Sequence, residues 1–304
     1  YGGNCDQYQS ALGSDGTNVY LGGRTSSTTN MVTSGAYQTL INQTLGWKDA
    51  YLAKFSPAGN LLWGTYFGGA GDECGNSIDC DPNGNVYFAG TTSSGINIAT
   101  LGSYQSTCGC SAIGGIYGDD FLAKFRTDGT LSWSTYYGGT SSDFECTVTC
   151  DKYGNAFLYG YTASTNNIAT SGAWQTTRSG LNDAYLAKFD SNGVRIWGTY
   201  YGGPSFERSF DAECDDSGNV IVIGATTIAT GRATTGAYQA ANAGGVDAYI
   251  TKFDSSGVLR WGTYFGGTAN DSAYGVAIGD SNNIYVVGST LSSTGIATSS
   301  AYQS

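Results

Sequence analysis

Short apolar segments alternate with turn-forming ones along the whole chain. Asp49 to Phe55 and Leu61 to Phe67 each have the length of a strand, each lies among Gly, Asn, Pro or Ser, and no window sustains a 3.6-residue apolar period. The pattern predicts an all-β chain. Links such as Asp81-Pro-Asn-Gly84 and Ser56-Pro-Ala-Gly59 have hairpin chemistry, Gly or Asn supplying the positive φ of a tight turn.

The segments recur. Asp49-Ala-Tyr-Leu-Ala-Lys-Phe55 returns at Asp119, Asp183 and Asp247, with spacings of 70, 64 and 64 residues. Trp63, Trp133, Trp197 and Trp261 keep the same register inside W-x-T-Y-[FY]-G-G blocks, and Asn85-Val-Tyr-Phe-Ala-Gly90 recurs from Asn18, Asn155, Asn219 and Asn283. Each unit reads as four strands: a as in Asn76 to Asp81, b as in Asn85 to Gly90, c as in Asp49 to Phe55 and d as in Leu61 to Phe67. One such unit cannot bury both faces, whereas stacked units can, so the repeat predicts a β-propeller of four-stranded blades. About five repeats are visible in a single domain of residues 1–304. Four are complete, over approximately 4–67, 70–137, 140–201 and 204–265, and a partial blade covers 268–304.

The combination of D-A-[YF]-[LI]-x-K-F, W-x-T-Y-[FY]-G-G and G-N-V-Y resembles the bacterial seven-bladed beta-propeller (SBBP) repeat, related to NHL-type repeats. The resemblance implies a propeller in secreted or surface-exposed, often multidomain proteins, and brings no shared catalytic residues. This chain departs from the family pattern in having four complete units and additional cysteines.

Composition narrows the classes. Against 24 Asp+Glu stand 13 Lys+Arg, a net charge of −11 with no basic stripe, which argues against a nucleic-acid partner. No apolar run approaches the ~20 residues of a membrane span. Eight cysteines with no histidine exclude c-type haem, Cys/His zinc sites and His-based acid–base chemistry, and they fit an oxidising compartment, so a secreted, extracellular or cell-surface location is expected. The chain begins at Tyr1 without a Met or a signal-like segment and reads as processed or trimmed.

An active site breaks pseudo-symmetry, whereas a structural part is reused in every blade. The recurring Asp49, Asp119, Asp183 and Asp247, and Lys54, Lys124, Lys188 and Lys252, therefore read as architecture, and the tryptophans as packing between blades. The turns Asp81 to Asn85 and Asp215 to Asn219 suggest calcium loops but lack the carboxylates of an EF-hand; Asx turns account for them, and no cofactor is expected, Ca²⁺ being the alternative. Asp72-Glu73 and Asp143 to Glu145 are candidate paired carboxylates that read as solvated loop charges. Long b-to-c connections, 24–48, 91–118, 161–182 and 225–246, carry a recurring aromatic (Tyr37, Tyr104, Trp174, Tyr238, with Tyr302 in the last copy) expected to pin each loop, leaving specificity to non-recurring loop residues.

Cys80, Cys150 and Cys214 share one repeat position and are expected not to pair. Cys5, Cys74, Cys108, Cys110 and Cys146 fall on the opposite face as disulfide candidates, with Cys108 or Cys110 expected to bridge to Cys74 or Cys146. Sequons mark Asn42 and Asn270 as glycosylation candidates. The last blade has strands a and b but no c or d. Its edge, Asn283, Ile284, Tyr285, Val286, Val287 and Gly288, is expected to be covered by segments outside this copy, from a longer parent chain or another subunit.

Together these features predict a non-enzymatic extracellular module, a structural or assembly part of a surface layer, fibre or adhesin that self-associates or sits in a longer chain. A glycan-binding module using exposed loop aromatics is the alternative, and a propeller hydrolase or lyase a weaker one.

Overall fold

A computed structural model describes residues 1–42, 46–109 and 118–303, with backbone alone for residues 8–10. Four blades are four-stranded antiparallel meanders in chain order. They are β1 (Gln7–Ser14), β2 (Val19–Thr25), β3 (Asp49–Phe55) and β4 (Leu61–Phe67); β5 (Glu73–Cys80), β6 (Val86–Thr92), β7 (Asp119–Phe125) and β8 (Leu131–Tyr137); β9 (Asp143–Cys150), β10 (Ala156–Thr162), β11 (Asp183–Phe189) and β12 (Arg195–Tyr201); β13 (Glu207–Cys214), β14 (Val220–Thr226), β15 (Asp247–Phe253) and β16 (Leu259–Phe265). The fifth pairs β17 (Asp271–Ile278) with β18 (Ile284–Thr290) alone.

The third and fourth strands lie where the motifs predict them. The first strand of each blade begins earlier than expected, at Glu73 rather than Asn76 in the second blade, because a bulge between Gly75 and Ser77 breaks its alternation. A reading by period 2 sees only the half beyond the bulge.

Apolar cores fill the spaces between consecutive blades. One joins Tyr20, Trp63 and Phe67 of the first blade to Phe88, Phe121 and Phe125 of the second, and equivalent clusters join the second to the third, third to fourth and fourth to fifth. Each fully buried aromatic contributes about 1.5–3 kcal/mol of transfer free energy.

The innermost strands have one edge with no ladder partner, and the preceding blade satisfies it. Val148 N–H donates to Ser77 Oγ (3.1 Å), Cys150 N–H to Asp79 (2.7 Å), Cys214 N–H to Thr149 Oγ1 (3.2 Å) and Val276 N–H to Asp211 (2.9 Å). Strand β1 packs on β5, β5 on β9, β9 on β13 and β13 on β17, whereas β17 and β1 form no comparable contact. The five blades make an open arc.

Candidate functional site

A single joint is repeated between blades. The indole N–H groups of Trp63, Trp133 and Trp197 donate to the carbonyls of Thr127, Ser191 and Ser255 at 3.0, 3.0 and 3.1 Å. Lys54, Lys124 and Lys188 donate to the same three carbonyls and pair with Asp15, Asp81 and Asp151 at 3.3, 3.2 and 3.4 Å. Each carbonyl belongs to the turn between the third and fourth strands of the next blade. That turn needs glycine: Gly193 has φ 83°, and a Cβ there would lie 2.7 Å from the Trp133 ring.

The arc ends in two halves of this joint. In the fourth blade Lys252 pairs with Asp215 at 2.6 Å, but among the described residues neither Lys252 nor Trp261 reaches a turn carbonyl, since the fifth blade has no third and fourth strands. The Lys252 side chain is 21% exposed, against 8, 9 and 7% for its three counterparts. At the other end Gly59, the counterpart of Gly129, Gly193 and Gly257 beneath their tryptophans, faces open space.

Beside the empty half-joint lies a cavity of about 400 Å³ lined by Ile250, Phe265, Ile284, Val286 and Ile296. The predicted assembly edge, Asn283 to Gly288, borders it. In this single chain β18 pairs with β17 on one side, and Tyr285 and Val287 are exposed. An apolar groove beside an unpaired strand edge is what remains when the third strand of a blade is taken away.

Residues 62–97, which run from β4 through β6, match the family model SBBP, the Beta-propeller repeat. This segment is an SBBP repeat. An uncharacterized WD repeat-containing protein of Acanthamoeba polyphaga mimivirus is 25% identical over 197 residues, 56% of this chain and 14% of that protein. The chain thus spans about a seventh of that relative's length. A protein of unknown function from Bacteroides caccae aligns over 87% of this chain and 84% of its own at 12% identity and TM-score 0.37. A gluconolactonase from Xanthomonas campestris aligns over 93% and 84% at 9% identity and TM-score 0.40, and a candidate gluconolactonase over 90% and 79% at 12% and 0.38. The expectation of a non-enzymatic chain is corrected by the last two: proteins described by an enzymatic activity are among those this chain resembles, so that expectation is dropped. No residue is transferred from them.

Within the blades the recurring charges are structural, and two expectations change. Glu73 and Asp143 are buried, not solvated. Glu73 accepts from Gly69 N–H (3.0 Å), Thr92 (2.7 Å) and Ser94, and Asp143 from Gly139 N–H (2.8 Å), Thr162 and Ser164, so each clasps a Gly-Gly turn. Burial pushes these carboxyls up, to about 7 and about 6. Of their predicted neighbours, Asp72 is half-buried and Glu145 exposed. In the Ala-Tyr-Gln element the glutamine is the main anchor. Gln38, Gln105, Gln175 and Gln239 donate to Asp49, Asp119, Asp183 and Asp247 (2.6–2.9 Å) and accept from Gly68, Gly138, Gly202 and Gly266 N–H groups. Tyr37, Trp174, Tyr238 and Tyr302 stay exposed, Tyr37 resting on Phe67 and on Phe125 of the next blade.

The cysteine expectation is corrected too. Cys5, Cys80, Cys146, Cys150 and Cys214 are free thiols, so Cys146 does not take the predicted bridge. Cys146 is buried in the core between the second and third blades with its thiol toward the carbonyl of Gly90, a setting that leaves it inside the packing. Cys108 is disulfide-bonded, and Cys110 lies outside the described residues. In the turns weighed as calcium loops, both carboxylate oxygens of Asp81 accept from Asn85, and both of Asp215 from Asn219; among the described residues no cluster of three or more His, Cys, Asp or Glu is arranged to hold a metal. Asn42 and Asn270 are exposed, while Gln43 and Thr44 of the first sequon lie outside the described residues.

Proposed function

We propose that this chain is an assembly module of a secreted or surface-exposed protein, in which a two-stranded hairpin of SBBP chemistry from outside residues 1–304 completes the fifth blade. The carrying observation is the pair of half-joints: Trp261, Lys252 and Phe265 at one end stand ready for a turn and strand, and the turn at Gly59 at the other lies open to a preceding blade. A third strand of the D-A-Y-L-A-K-F type would pair with β18, place alternate apolar side chains in the cavity of about 400 Å³, and bring its turn carbonyl to Trp261. Tyr1 supports the reading. Its ring packs on Tyr51 and Phe55, as Phe67 packs on Phe121 and Phe125, so it takes the place of the last aromatic of a preceding blade. The low charge density of the chain and the disulfide at Cys108 support the extracellular setting.

A synthetic hairpin with the sequence of residues 183–203, added to the chain, tests this. It is expected to bind and raise the thermal midpoint, and Val286→Asp, which places a charge in the groove, is expected to abolish both effects. A chain that neither binds the hairpin nor associates with itself or with flanking SBBP repeats ends the proposal.

A further inference from the structure

The five inner strands converge on one cavity of about 390 Å³, reached by Leu12, Asn76, Glu145, Phe210 and Tyr274. Every inner strand carries a bulge at this level, between Gln9 and Ala11, Gly75 and Ser77, Phe144 and Thr147, Ser209 and Asp211, and Ala273 and Gly275. Bulges re-aim side chains and gather next to sites. The residues at these bulges do not repeat, although the strands around them do: Asn76, then Glu145 with Cys146, then Phe210, then Tyr274. In the third blade Glu145 adopts φ 55°, a left-handed conformation unusual for a residue with a side chain, and thereby presents its carboxylate to the cavity while Cys146 is buried.

Arg208 connects this cavity to a second. Its guanidinium grips both oxygens of Glu145 at 2.8–3.0 Å and lies over the Phe210 ring, 5.2 Å from its centroid; Phe210 meets Tyr274 edge-on at 4.9 Å. Arg208 also lines a groove of about 510 Å³ that runs outward past Tyr161, Leu181 and Phe206 between the third and fourth blades. Phe206 and Tyr274 are 55% and 52% exposed. The Arg208–Glu145 fork of donors and acceptors thus stands between the two cavities, with the aromatic faces of Phe206 on one side and of Phe210 and Tyr274 on the other; the two cavities in line with this fork form a path.

We propose that this path binds a neutral oligosaccharide. The Glu145–Arg208 pair cancels its own charge, Glu207 along the groove is paired with Arg232, and the Asp211 carboxylate at the cavity disfavours an anion, while the Glu145–Arg208 fork holds acceptor and donor atoms side by side for hydroxyl groups. Phe206 and Tyr274 supply the flat apolar surfaces on which the C–H faces of sugar rings stack. An extended groove fits a chain of sugars better than a single ring. The proposal stands independently of the assembly reading, since it uses the axis and the third and fourth blades rather than the β18 edge.

The test is a printed array of neutral and acidic oligosaccharides probed with the 304-residue chain and three variants. The chain is expected to be retained on neutral glycans, with Tyr274→Ala and Phe206→Ala each lowering retention about tenfold, the loss of one stacking contact, and Trp174→Ala, on a different loop, leaving it unchanged. Both reporting residues are half-exposed, so their variants keep the fold; unchanged thermal midpoints verify that. No retention on any neutral glycan, retention on acidic glycans alone, or retention that Trp174→Ala abolishes and Tyr274→Ala does not would each overturn the proposal.

Discussion

The indole N–H of Trp133 donates to the carbonyl of Ser191 at 3.0 Å, so one blade is fastened to a turn of the next. Trp133→Phe removes that bond and leaves a void beside Gly193, and is expected to cost about 2 kcal/mol in chemical denaturation. Trp261→Phe, at the half-joint, is expected to cost less than about 0.5 kcal/mol in the isolated chain. Equal costs would show that the joint is not what distinguishes the two positions.

Gln175 donates to Asp183 (2.9 Å) and accepts from Gly202 N–H (2.9 Å), tying a long loop to the buried start of β11 and to the Gly-Gly turn. Gln175→Ala leaves a buried carboxylate short of a donor and should destabilise by about 1–3 kcal/mol. Limited proteolysis should cut first between Ser164 and Asn182. Cleavage elsewhere first would mean that the glutamine does not hold this loop.

Glu213 lies near Asp79 and Asp211, and burial followed by those two charges raises its carboxyl from 4.5 to about 8. A carboxyl raised on folding binds its proton more tightly in the native state, so its contribution is full below about pH 4.5 and declines as pH rises toward 8. Glu73, at about 7, and Asp143, at about 6, act in the same sense. The chain is therefore expected to be most stable in mild acid. Glu213→Gln should stabilise it by on the order of 2 kcal/mol at about pH 8, discounted for residual exposure, and make no difference at about pH 4. Denaturation midpoints across that range decide it; a gain independent of pH would refute the assignment.

Asn270 is exposed just before β17. Expressed through a pathway with N-glycosylation machinery, the chain is expected to carry glycan mass at Asn270 that Ser272→Ala lacks. Identical intact masses would rule out modification there.

Much of the architecture is legible in the residues. Strands such as Asp49–Phe55 and Leu61–Phe67 are marked by motifs whose turn glycines and alternating apolar positions act locally. The missing strands of the last blade were legible for the same reason. The oligosaccharide path was not, although a signal existed: Asn76, Glu145, Phe210 and Tyr274 vary at one level of otherwise repeating strands. Alignment of the copies shows that variation, but only the bulges show that these side chains face one cavity.

Sequence alone determined the all-β fold, the four-strand period and the two-stranded end, because strand length, turn chemistry and repetition are properties of neighbouring residues. Tertiary structure decided which of the repeated polar groups are buried and what they hold. Glu73 is solvated or enclosed according to whether Thr92 and Ser94 arrive over it from the next strand, and Trp63 finds Thr127 only because consecutive blades stack with their turns in register. Contacts between residues some 64 positions apart depend on twist, bulge and stacking, none of which is written in the residues on either side.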